Sequence, residues 1–138
     1  MPSAPDRSPL PVRPLTEHGR RFVTDRHLAT LSTIGPHGDL HVVAVGFTYV
    51  DGVVRIITDG ASQKVRNVER DHRGTVAQVS GPEWVSIAGR ALVERDPASV
   101  EFAVQRYAER YRQPRVNPNR VVIRIDPERV LGSAGLWA

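Results

Sequence analysis

Asp51-Gly52 stands between two apolar runs, Leu40–Val50 (LHVVAVGFTYV) and Val53–Asp59 (VVRIITD). An Asp-Gly pair so flanked calls for a tight two-residue hairpin. Both turn positions then take positive φ, and such a turn matches the twist of antiparallel strands. The pair commits the middle of the chain to antiparallel β structure. Further strand-like runs lie at His27–Ile34 and at residues 74–80, 84–95 and 120–126, with Gly81-Pro82-Glu83 as another turn. The rest of the chain punctuates these strands. Thr16 caps an expected helix to Asp25, and Ser62 caps one to Arg70. Asp96-Pro97 opens a third, on which Val100, Val104, Tyr107 and Tyr111 share a face.

This order gives five or six strands joined mostly by short turns. The fold class is mainly β (α+β), and a small sheet of this kind is expected to close into a barrel, which removes its edges. The 138 residues suit one domain. Met1–Pro14, with five prolines, reads as a flexible tail. Residues 15–132 form the domain, the segment from Glu128 leads out of the last strand, and 133–138 is a short tail.

Composition excludes several chemistries. The chain has no cysteine, so thiolate metal sites, cysteine nucleophiles and disulfides are out. This favours a reducing, cytoplasmic setting. The five histidines show no ligand-like pairing, and no metal site is expected. No apolar run is long enough to span a bilayer, and the start of the chain carries no signal pattern. The net charge of +4 points to an anionic partner. A basic nucleic-acid-binding module is one reading, but aromatic residues are only 6% of the chain and no recognised binding motif occurs.

The charge has one odd feature: eighteen residues are arginine and Lys64 is the only lysine. It sits in TDGASQKVRN (Thr58–Asn67), where a strand ends and a helix begins. A helix start presents free backbone N–H groups to anions. Ser62, Gln63, Lys64 and Arg66 add a hydroxyl, an amide and two cations at the same place. The same pattern also suits an ordinary capped surface helix. On the strand before it, Ala44 and Gly46 are small. They leave room for a flat ring against the backbone, or mark a bend in a curved strand. Trp84, after the Gly-Pro turn, either fills core or meets a ring.

Taken together, HVVAVGFTYV, SQKVRN, RYAERYRQPRVNPNRVVI and ERVLGS resemble the split-barrel flavin and deazaflavin oxidoreductases, relatives of pyridoxamine phosphate oxidase. Within them they are most similar to the coenzyme F-420 branch and its biliverdin-reducing members. The likeness covers about residues 16–132. It implies a six-stranded antiparallel split β-barrel and a homodimer with a site in each groove between the subunits. It implies that Lys64 holds the cofactor phosphate, with Ser62, Gln63 and Asn67 around it. The ring would lie near His41, Val42, Val43, Ile57, Thr58 and Trp84. Relatives often carry an arginine two residues before the lysine, where this chain has Ser62.

The activity so implied is hydride transfer from reduced coenzyme F-420 to a conjugated substrate, biliverdin giving bilirubin. Flavin mononucleotide is the alternative cofactor, and quinones, unsaturated lactones and pyridoxal compounds are alternative substrates. The cofactor carries such chemistry while the protein orients and controls charge. His41, Tyr107 and a bound water are candidate proton donors. Arg106, Arg110 and Arg115, in a segment that also carries Arg112, Arg120 and Arg124, are candidates for substrate carboxylates or the glutamyl tail of the cofactor. Neither a membrane nor a nucleic acid is expected as a partner.

Overall fold

The computed structural model describes residues 12–138. Most of the expected N-terminal tail, residues 1–11, lies outside the described residues. Helix α1 (Glu17–Thr24) precedes strands β1 (Ala29–Ile34), β2 (Leu40–Val45), β3 (Thr48–Val50) and β4 (Val53–Asp59). Helix α2 (Gln63–Arg70), β5 (Arg73–Ser80), β6 (Glu83–Glu94), α3 (Pro97–Arg110) and β7 (Arg120–Gly132) complete the order. The Asp51-Gly52 hairpin forms as expected, with φ of 53° and 72° at its two turn residues.

The strands make one seven-stranded antiparallel sheet in the order β2-β1-β5-β6-β7-β4-β3. The expected six-stranded closed barrel is corrected here, because the ladder is open between β2 and β3. The run Leu40–Val50, expected as a single strand, breaks at Gly46-Phe47, and its two halves take opposite edges of the sheet. The cause lies at Phe47. Its N–H donates to Tyr111 Oη (3.2 Å) and its carbonyl accepts from Arg110 Nη1 (2.5 Å). Both backbone groups are satisfied by side chains of the α3 end, so neither is left for a neighbouring strand. The Phe47 ring is fully buried at the corner.

Strand β7 is longer than expected. It continues through the segment taken as leading into the tail and pairs with β6 as far as Gly132. Pro127, which lacks an N–H, is accommodated where the register shifts between Ala88 and Gly89. Residues 133–138 are also more than a tail. Leu136 and Trp137 are buried in the core, and the Leu136 carbonyl accepts from Thr16 N. Gly19 in α1 fits because a β-carbon there would overlap that carbonyl. Thr16 caps α1, accepting from Gly19 N at 3.0 Å.

Inward-facing Leu31, Val54, Ile56, Val76, Val85, Ile87, Ile123 and Ile125 build the core with Phe22, Phe47, Val65 and Val68. The opposite pleat of β2-β1-β5-β6-β7 is different. Ala44, Thr30, Ala77, Ser86 and Leu131 form a cross-strand row on it. Leu40, Val42, Val79 and Trp84 lie on the same face and are exposed, Leu40 by 75% and Val79 by 69%.

Candidate functional site

One groove draws on distant parts of the chain. Ala44, Val45 and Gly46 supply one wall from the end of β2, and Ile57, Thr58 and Asp59 come from the end of β4. Lys64 enters from α2, Tyr107 from α3, and Pro114, Asn117 and Arg120 from the segment before β7. The groove encloses about 290 Å³. Beyond the Asp59-Gly60 turn a second hollow of about 500 Å³ holds Arg95, Asn119 and Val121, and shares Arg120 with the first.

The chemistry at the start of α2 is specific. Lys64 makes no ion pair among the described residues. Partial burial pushes its ammonium below the usual lysine range, while the Asp59 carboxylate partly offsets this. Ser62 stands at the N-cap with extended backbone, yet its hydroxyl does not cap the helix. That Oγ is buried and has no hydrogen-bond partner among the described residues. Asp59 is held by Ala61 N (2.7 Å) and Asn117 Nδ2 (3.4 Å), and these bonds lower its pKa. An orphan hydroxyl and an unpaired cation at a helix start therefore sit on the rim of a groove walled by small residues. This donor set fits a phosphate.

Of the site residues expected from sequence, Ile57, Thr58, Lys64 and Tyr107 line the groove, and Ser62 adjoins it. Gln63 and Asn67 are occupied with structure. Gln63 Nε2 donates to Asn67 Oδ1 (2.7 Å), and fully buried Asn67 donates to Thr33 Oγ1 (3.1 Å). His41 and Val43 lie on the inward pleat of β2, opposite Thr33 and Leu31, with His41 Nδ1 buried and unpartnered. Val42 and Trp84 are exposed on the outward pleat that also carries Ala44, and neither lines the groove.

The three candidate arginines part company. Arg110 turns inward and is only 8% exposed. It donates to the carbonyls of Asp25 and Phe47 and to Gln78 Oε1. Its role as a carboxylate holder is corrected: the guanidinium is spent inside the protein. Arg106 pairs with Glu109 and lies over the Phe102 ring. Arg115 is exposed on the loop, where its carbonyl accepts from Arg120. The arginine that reaches the groove is Arg120. In the sequence Arg120 is only one arginine of a candidate segment, and Asp59 and Asn117 carry no site signal, because it is the pairing of β4 with β7 (Asp59 opposite Arg120) that brings them together.

Comparison with known proteins agrees with this architecture. A family model described as pyridoxamine 5'-phosphate oxidase matches residues 15–134. The chain belongs to the pyridoxamine 5'-phosphate oxidase family. Within reach of this family member is an F420H(2)-dependent biliverdin reductase of Mycobacterium tuberculosis, strain CDC 1551 / Oshkosh, 48% identical over 124 residues. These cover 88% of this chain and 90% of that protein. Among solved structures, a conserved hypothetical protein of Mycobacterium tuberculosis superposes with a TM-score of 0.75 at 27% identity, covering 87% and 85% of the two chains. A structure described as an F420 reductase matches with a TM-score of 0.68 at 22% identity, covering 82% of this chain and 96% of that one, which speaks to the fold alone. Among the described residues, no helix of this oxidase-family chain is long and apolar enough to cross a membrane.

Proposed function

We propose that the groove binds reduced coenzyme F-420 and that the protein is an oxidoreductase reducing biliverdin to bilirubin. The observation that carries this reading is the pairing of Lys64, free of any ion pair, with the orphan Ser62 hydroxyl at the rim of a groove walled by Ala44 and Gly46. The 48% identical relative gives the cofactor and substrate their names. When bound, the deazaflavin supplies the two-electron hydride chemistry.

The chain's own groups have separate tasks. Lys64 and Ser62 hold the phosphate with the first N–H groups of α2. The small Ala44 lets a flat ring approach the backbone, while the space over Gly46 is taken by the Tyr107 and Tyr111 rings. Tyr107 lines the groove, and no hydrogen bond within the described residues engages its hydroxyl. We assign Tyr107 Oη as the proton donor to the reduced substrate in preference to His41, which lies on the inward pleat. Arg120 takes the place of Arg110 as the guanidinium available to a substrate carboxylate, while Arg95, in the adjoining hollow, is paired with Glu69.

The groove is also incomplete in a single chain. Its volume is at the low end for a ligand site. Ala44 belongs both to the groove and to the exposed apolar face of Leu40, Val42, Val79, Trp84 and Leu131. Contiguous apolar surface of this kind is the mark of a partner. A second copy laid on that face would wall the groove, bring Val42 and Trp84 to its edge, and make the protein a homodimer with two interfacial sites.

Titration with reduced coenzyme F-420 and with flavin mononucleotide, followed by biliverdin with its absorbance recorded, tests the reading. Binding of the deazaflavin and loss of the biliverdin band are expected. Failure to bind the deazaflavin would overturn the assignment, and binding without turnover would discard the substrate.

A further inference from the structure

Gly46 forms part of the groove wall, and what stands behind it is unusual. A β-carbon at Gly46 would lie 3.1 Å from the Tyr107 ring and 3.1 Å from the Tyr111 ring. These rings pack together at 4.8 Å between centroids. Tyr111 Oη donates to the His27 carbonyl (2.6 Å) and accepts from Phe47 N (3.2 Å). Arg110, one residue earlier, ties the Phe47 carbonyl (2.5 Å) to Gln78 Oε1 (2.5 Å) on β5 and to the Asp25 carbonyl (3.0 Å) after α1. Its guanidinium also lies 4.7 Å from the centre of the Phe47 ring.

The corner between β2 and β3 therefore has no strand of its own to fix it. It is fixed by two consecutive side chains at the end of α3, the same helix that sends Tyr107 into the groove. We infer that Arg110 and Tyr111 are positioning residues that hold Tyr107 against the Ala44–Gly46 wall, and so fix the shape of the groove and its affinity for a planar ring. Neither residue lines the groove. The inference rests on the proposed binding of a flavin-like ring there, not on which ring it is. It also separates two halves of the site. Lys64 and Ser62 read the phosphate, and the α3 clamp reads the ring.

The test compares ligands with and without the phosphate. Dissociation constants are measured for reduced coenzyme F-420 and for the same deazaflavin ring with its ribityl chain alone. Flavin mononucleotide and riboflavin form a parallel pair. Tyr111→Phe removes only the hydroxyl and should weaken both members of a pair by the same factor, about tenfold. Lys64→Ala should weaken only the phosphate-bearing member. A residue that merely supports the fold would lower the melting temperature of Tyr111→Phe and leave the affinity of the folded protein for the phosphate-free ring unchanged, which would overturn the inference. Gly46→Ala puts a β-carbon directly against both tyrosine rings and is read in the same way, so the result stands even where Tyr111→Phe does not fold. Should the wild type bind flavin and not deazaflavin, the proposed function falls while the clamp is decided on the flavin pair. Binding of neither ring overturns both.

Discussion

Lys64 shows how one side chain's surroundings set what it can do. Partial burial brings the pKa of its ammonium below the usual lysine range, and the Asp59 carboxylate partly offsets this. An anion favours the charged form, so cofactor affinity should fall as pH rises through that lowered pKa. Asp59 shares the groove, but its carboxylate is held below the usual carboxylate range and is already ionised where the lysine titrates. Measured dissociation constants should lose their alkaline limb in Lys64→Gln, and an unchanged limb would assign it elsewhere. For stability the sign differs. The folded state binds the Lys64 proton less tightly than the unfolded chain, so this residue's contribution to stability rises between the two pKa values. Ser62→Ala should cost little stability, because the hydroxyl makes no bond to lose, yet reduce affinity for the phosphate-bearing cofactor several-fold, read by titration.

At the scale of elements, local signals proved readable and distant ones did not. The Asp51-Gly52 turn, the Thr16 and Asp96 caps and the start of α2 all depend on residues within a few positions, and the sequence shows each of them. The break at Gly46-Phe47 depends on Arg110 and Tyr111, more than sixty positions away, and an apolar run of high β propensity conceals it. Arg110 itself reads as a surface cation, because nothing near it in sequence announces three acceptors in the core. The C-terminal residues mislead for the same reason, since the surfaces that receive Leu136 and Trp137 come from α1, β3 and β7. Two outcomes follow. Arg110→Met should cost about 3 kcal/mol, since three acceptors, two of them buried, lose their donor. Leu136→Ala should cost about 3 kcal/mol through the cavity it leaves. Denaturant unfolding measures both, and a change under 1 kcal/mol in either would mean that the site relaxes around the loss.

The whole molecule presents an apolar face that is not part of its own core. Val42→Asp places a charge in the middle of that face, at a position 56% exposed, where the cost to a single folded chain is small. The proposed dimer should fall apart, read as a halved mass by light scattering, and cofactor affinity should fall with it; a dimer that persists would place the contact elsewhere. The sheet order carries another consequence, for synthesis. The pairs β1–β2, β3–β4 and β5–β6 each join neighbours in sequence and close early as hairpins. The third of them, β5–β6, meets the first through β1–β5, but β3–β4 gains its place only through β7. A chain emerging from the ribosome thus holds its finished hairpins in waiting until residues 120–132 arrive. Only then do the two edges that flank the Gly46-Phe47 corner belong to one sheet, so the last strand made is the one that assembles the groove.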